Sequence, residues 1–177
     1  MRRVAVLLFV VVLAGCSGGP RTGANLSATY SHPGLSCAPF ARALTGLALS
    51  GDAADWWSQA DGRYTRVSTP SVGGVLVFRR TGRLRSGHVS VVSDVLDARR
   101  IHVIQANWMP GELDIDQLVV DVSETNDWTV VRVWYPPGDQ LGSHAYSTYG
   151  FILSPAPRSH DILSRRAETV ARTAGGG

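Results

Sequence analysis

Cys37, His88 and Asn107 are residues of the types that carry out nucleophilic acyl transfer. A thiolate attacks, an imidazole takes and returns the proton, and a third group orients the ring. The chain has two cysteines, Cys16 and Cys37. Ser36 is a helix-capping type just before Cys37, and Pro39 is tolerated in a first turn, so a helix is expected to open at Cys37. That position favours the thiolate and offers backbone N–H groups, including that of Cys37, to an oxyanion. Five histidines could serve as the base. His32 lies in a tether-like stretch, His144 in a Gly/Ser loop and His160 in the tail. His88 and His102 fall on strand-like segments, where alternation separates them. Gln105 and Asn107 share one face, whereas His102 shares the other with Ile104 and Ala106. Gly87 leaves room beside His88 for a substrate backbone, and Asn107 is placed to accept a ring N–H from His88. The same residue types also suit a buried inert thiol and a satisfied core histidine.

The elements that must hold these groups follow from periodicity. Phe40, Ala41, Leu44, Leu47 and Ala48 recur at helical spacing, with Gly51 as the expected stop. A second short helix, roughly Ala53 to Ala60, carries Trp56 and Trp57 and stops at Asp61-Gly62. Strands are expected at Gly74–Phe78, His88 to Val95 and Arg100 to Trp108, the last two joined by Asp97-Ala98-Arg99 as a hairpin. Two more are expected at Thr129 to Tyr135 and Tyr146 to Leu153. Helices followed by consecutive strands predict an α+β domain with an antiparallel sheet of about six strands. The tail from Pro155 is expected to form a short helix near Ile162 to Val170. Asp114 and Asp116 have no His or Cys partner nearby and read as a solvated loop, not a metal site. No metal or cofactor is expected.

Arg2 and Arg3 precede an apolar run from Val4 to Ala14, too short for the roughly 20 residues of a membrane span. Leu13-Ala14-Gly15-Cys16 resembles the lipobox of bacterial lipoproteins. That resemblance implies a signal over residues 1–15, a diacylglycerol on Cys16 and a tether over 16–31, rich in Gly, Ser, Thr and Pro. It predicts export and attachment to a membrane, at the outer membrane facing the periplasm in a Gram-negative cell. Losing Arg2 and Arg3 lowers the formal charge from +3 to about +1. No basic stripe interleaved with aromatics appears, so nucleic acid is not an expected partner. With Cys16 lipidated, Cys37 has no intramolecular disulfide partner.

Five segments in order resemble the CHAP family, the cysteine, histidine-dependent amidohydrolases/peptidases. They are Cys37-Ala38-Pro39-Phe40-Ala41-Arg42, Trp56-Trp57, Gly74 to Phe78, Gly87-His88-Val89-Ser90-Val91-Val92 and Gln105-Ala106-Asn107-Trp108. The resemblance implies a papain-like arrangement with helices on an antiparallel sheet, within a catalytic domain over residues 32–155 followed by a tail over 156–177. It assigns Cys37 as nucleophile, His88 as base and Asn107 as the polar orienting residue. Trp57, Gly87 and Trp108 become candidates for the substrate groove. The implied substrate is peptidoglycan, at a stem peptide or the glycan–peptide junction, with any protein activator unknown. Many family members have glutamate where this chain has Gln105. Gln105 is therefore an auxiliary candidate that can bond the imidazole without supplying charge, and a non-catalytic protein binding wall peptides or a partner is the alternative. A peptide or acyl transferase using the same acyl-enzyme is a third reading.

Overall fold

The computed structural model describes residues 27–174. The expected signal segment, Cys16 and the expected tether up to residue 26 lie outside the described residues. No helix among the described residues is long and apolar enough to cross a membrane.

The chain runs β1 (Ala28–Ser31), α1 (Cys37–Thr45), a 3-10 turn at Ala53–Asp55, α2 (Trp56–Gln59), β2 (Arg66–Val67), β3 (Val75–Phe78), β4 (His88–Val95) and β5 (Arg100–Ala106). It continues through β6 (Glu112–Asp121), β7 (Val130–Tyr135), β8 (Gln140–Leu141), β9 (Tyr146–Ile152) and α3 (His160–Ala174). All strand pairs are antiparallel. Six strands, β6-β5-β4-β3-β9-β7, close on themselves because β7 also pairs with β6. β1 adds to the outer edge of β6. The result is an α+β fold whose sheet is a six-stranded barrel with short additions.

Strand alternation sorts the apolar residues into two cores. Leu76, Phe78, Val92, Ile101, Val103, Val119, Val131, Val133 and Phe151 fill the barrel with Trp128. Val75, Val77, Val89, Val91, Ile104, Ala106 and Leu113 point outward, under Phe40 and Leu44 of α1 and Leu163, Ala167 and Ala171 of α3. This is why Val-Leu-Val-Phe is apolar at every position: β3 is buried on both faces. Each fully buried side chain of this size contributes about 1.5–3 kcal/mol.

Several boundaries differ from the expected ones. α1 stops at Thr45, because Gly46 takes a left-handed φ of 77° and its N–H closes on Arg42 O at 2.9 Å. Leu47 is still fully buried, but as part of the loop that follows. The stretch read as tether enters the sheet at Ala28. The stretch read as a solvated Asp114/Asp116 loop is β6, with Asp114 fully buried. The tail helix is longer than expected and packs on the domain through one apolar face.

Candidate active site

Cys37 is the first residue of α1. Ser36 precedes it in extended conformation, and the helix's own ladder begins with Phe40 N–H to Ser36 O at 3.1 Å. The N–H groups of Cys37 and Ala38 are thus unspent by the helix, and Pro39 has none to spend. The thiol is half-buried against β4. Burial raises its pKa, and backbone hydrogen bonds from Val89, then Ala38 and Cys37, oppose that rise. Val89 is the neighbour of His88 on β4, so the nucleophile candidate and the base candidate meet the same strand end.

His88 opens β4 and points into the barrel mouth, where it is 3% exposed. Phe78 and Trp108 meet its ring edge-on at 5.5 and 5.0 Å. Its Nε2 bonds Gln105 Oε1 at 2.9 Å. Gln105 Nε2 in turn donates to Gln117 Oε1, and Gln117 Nε2 donates to Trp134 O at 3.0 Å. A backbone carbonyl can only accept, which gives this chain one direction. Gln117 must present its amide N–H₂ to Trp134, so its oxygen faces Gln105. Gln105 must then donate to Gln117, so its oxygen faces His88. The imidazole consequently carries its proton on Nε2 and keeps Nδ1 as the acceptor.

Burial depresses His88 to about 4, with the Gln105 bond pulling the other way. A raised thiol and a lowered imidazole both favour the neutral pair. The structure does not join Cys37 and His88 as a hydrogen-bonded dyad.

The structure brings Gln105, not Asn107, to the imidazole. β5 ends at Ala106, and Asn107 adopts a left-handed φ of 61°. This breaks the alternation that would have kept it on the Gln105 face. The exposed Asn107 instead accepts the Gly111 N–H on Oδ1 at 3.0 Å, closing the turn into β6. His102 stays on the outer face, away from His88, as strand parity requires.

Gly87 has no open space beside it. An added Cβ would lie 2.6 Å from Ala54 Cβ and 2.7 Å from Phe78 O, at a φ of 72°. The small residue serves close packing of the turn that delivers His88, and the room expected for substrate is filled. Trp108 stands between His88 and open cavities of about 320 and 270 Å³, both bordered by Arg83, Tyr135 and Tyr146. Trp57 lies elsewhere, stacked on Tyr149 at 5.8 Å, with Arg66 over its own ring and Arg79 over that of Tyr149. Gln117 and the Trp134 carbonyl are the members of the site that sequence reasoning missed. Gln117 carried only one cue, a polar residue beside the apolar run Leu118-Val119-Val120.

Residues 27–107 match the family model of the CHAP domain. The match begins just before β1 and ends at Asn107, and the strands beyond it complete the barrel that buries His88 and Gln105. No curated protein and no solved structure matches the chain. This similarity to the CHAP domain supports a cysteine-hydrolase type of function.

Proposed function

We propose that this protein is a lipid-anchored cell-envelope hydrolase that cleaves an amide bond of peptidoglycan through a Cys37 acyl-enzyme. The observation that carries the reading is the one-way amide chain ending at Trp134 O, which leaves His88 Nδ1 as the acceptor. His88 Nδ1 takes the Cys37 proton as Sγ attacks the carbonyl carbon. The unspent N–H groups of Cys37 and Ala38 receive the oxyanion. His88 then protonates the leaving amine, the C–N bond breaks, and a thioester remains on Cys37. Water, deprotonated by His88, attacks the thioester and restores the thiol. Gln105 and Gln117 hold the ring in one tautomer throughout, and Asn107 shapes the turn beside Trp108. The resting pair is neutral, so the thiolate forms during attack and is not stored beforehand.

Lipidation at Cys16 would leave about a dozen residues before β1, a reach of at most about 40 Å. That span keeps the domain within the wall layer next to its membrane. The scissile bond is N-acetylmuramoyl–L-alanine or one within the stem or cross-bridge peptide.

Incubating the full chain with purified peptidoglycan, with mass spectrometry of the released muropeptides, tests the proposal. New free amines should appear with the native protein and vanish with Cys37→Ala and His88→Ala. Equal release by Cys37→Ala would refute it. The neutral Gln105 beside a buried His88 favours one other reading, a wall-peptide binder without turnover. Muropeptide binding with no new amine from the native protein would select it.

A further inference from the structure

Asp114 is fully buried, and its Oδ2 has no hydrogen-bond partner. Its Oδ1 accepts the Thr29 hydroxyl of β1 at 2.8 Å. A carboxylate held this way costs stability, and such a group calls for a reason. Its place in the sheet supplies one. Asp114 on β6 is the direct cross-strand partner of Gln105 on β5. Directly opposite residues share a face, with Cβ atoms about 5 Å apart. Two flanking pairs confirm the parity: Ala106 faces Leu113 and Ala28 faces Ile115, all on the outer, helix-covered side. Asp114 and Gln105 therefore turn to the barrel side together. The bulge at Asp116, φ 60°, brings Gln117 opposite Val103 on that same side. Gln105 is thus flanked on β6 by two polar residues, one bonded to it and one a buried carboxyl.

We propose that Asp114 is the charged positioning residue of the His88 relay. Its carboxylate lies one strand beyond Gln105 and favours the imidazolium that forms when the Cys37 proton moves from Sγ to Nδ1. This inference rests on the Cys37–His88 reading given above. The groups facing Asp114 leave His88 as the cation it can serve. Glu112 on its own strand repels it, Thr29 on β1 and Gln105 on β5 are uncharged, and His88 lies beyond Gln105 on β4. Glu168 and Arg172 of α3, with His32, border a cavity at Leu113 on the opposite side of β6. Burial, the largest cause, raises Asp114 to about 6, while Thr29 pulls it down. Its charge therefore appears as pH rises through about 6, a range in which His88 is already a free base.

The rate of Cys37 alkylation by iodoacetamide, followed from pH 4.5 to 8 on the full chain and located by peptide mass spectrometry, reads this directly. Sγ displaces iodide, so the rate follows the thiolate–imidazolium population and needs no substrate. The native protein should show a rise of about three- to tenfold centred near pH 6, matching half to one pH unit of added His88 basicity. Asp114→Asn, nearly isosteric, should lose that step and stay at the lower rate. Thr29→Val keeps the carboxylate but removes its donor, and should move the step to higher pH. An unchanged step in Asp114→Asn, or an unmoved one in Thr29→Val, overturns the proposal. His88→Ala separates the two ideas. If it alkylates as the native protein does, the Cys37–His88 reading fails and takes this one with it. If it slows while Asp114→Asn behaves as native, only the role of Asp114 fails.

Discussion

Replacing Gln105 with glutamate tests the reasoning about the base most directly. The neutral Gln105 oxygen sits 2.9 Å from His88 Nε2, in a setting where burial holds the imidazole near 4 instead of its ordinary 6.5. A carboxylate at that position puts a full opposite charge within about 4 Å of the ring. Such a charge shifts a pKa by about 1–3 units in favour of the ionised form, here upward. His88 must be unprotonated to accept the Cys37 proton, so the acid limb of kcat/KM tracks its pKa. That limb should lie near pH 4 in the native protein and at about 5–7 in Gln105→Glu. Above the new limb the stronger base should raise kcat by about three- to tenfold. The substitution also has a structural cost. A carboxylate in place of the Gln105 amide cannot donate to Gln117, so the Gln117 amide must turn, and its oxygen then opposes Trp134 O. An unsatisfied buried carbonyl costs about 1–3 kcal/mol, which denaturant unfolding of the variant should register. Initial rates of amine release from peptidoglycan between pH 3.5 and 8.5 are the assay. A limb that stays near pH 4 in a folded Gln105→Glu protein would refute the claim that His88 is the base set by this contact.

Gln117→Leu removes the anchor of the amide chain, frees Gln105 to turn its N–H₂ toward His88, and should lower kcat about 10- to 100-fold at unchanged KM; steady-state kinetics at pH 7 decide this. Asn107→Ala should cost about 1–2 kcal/mol by losing the Gly111 bond and the left-handed residue, yet leave the acid limb in place; a moved limb would give the orienting role back to Asn107. Gly87→Ala should lower stability by at least about 2 kcal/mol in thermal unfolding, since its Cβ meets Ala54 at 2.6 Å and backbone at 2.7 Å. His88 binds its proton near 6.5 when unfolded and only near 4 when folded. Between those values the unfolded chain holds more protons, so stability falls as pH drops, by about 3 kcal/mol in all; urea unfolding of His88→Phe should lose most of that slope.

How much of this was legible in the sequence depends on whether a residue's role is local. β4 runs over the expected His88–Val95, and α1 opens at the expected Cys37 with Pro39 in its first turn, although Ser36 at the N-cap makes no side-chain capping bond. Both are set by neighbours in the chain. The barrel closure is not, because it rests on β6 meeting β7, and β6 was the strand hardest to see. Asp114 and Gln117 face inward while Asp116 turns to His160 of α3, and these polar residues interrupt the apolar alternation and mimic a solvated loop. Leu113 and Ile115 kept the period of two, but the bulge at Asp116 shifts it before Val119. The Asn107 assignment failed to hold its partner for a related reason. Parity projects a face only while the backbone stays extended, and a φ of 61° ends that projection one residue past the strand. The Trp134 carbonyl, which gives the amide chain its direction, is a backbone group that no residue type announces.

A carboxylate and an amide solve the orientation of an imidazole differently. A carboxylate accepts Nε2–H and stabilises the imidazolium in one stroke, but its field is present even in the resting state. An amide supplies no net charge and needs a further partner to decide which end faces the ring. Here Gln117 and Trp134 O make that decision, so the tautomer is set by hydrogen-bond direction alone. The burial that such a chain requires pushes His88 down and Cys37 up, which removes the preformed ion pair as a resting state. What the site then lacks is stabilisation of charge at the moment the proton moves. The buried carboxylate of Asp114, one strand from Gln105 and itself titrating near 6, is the group on the right face to supply it. On the proposed reading, orientation and charge are divided in this chain between Gln105 and a residue that enters from the next strand.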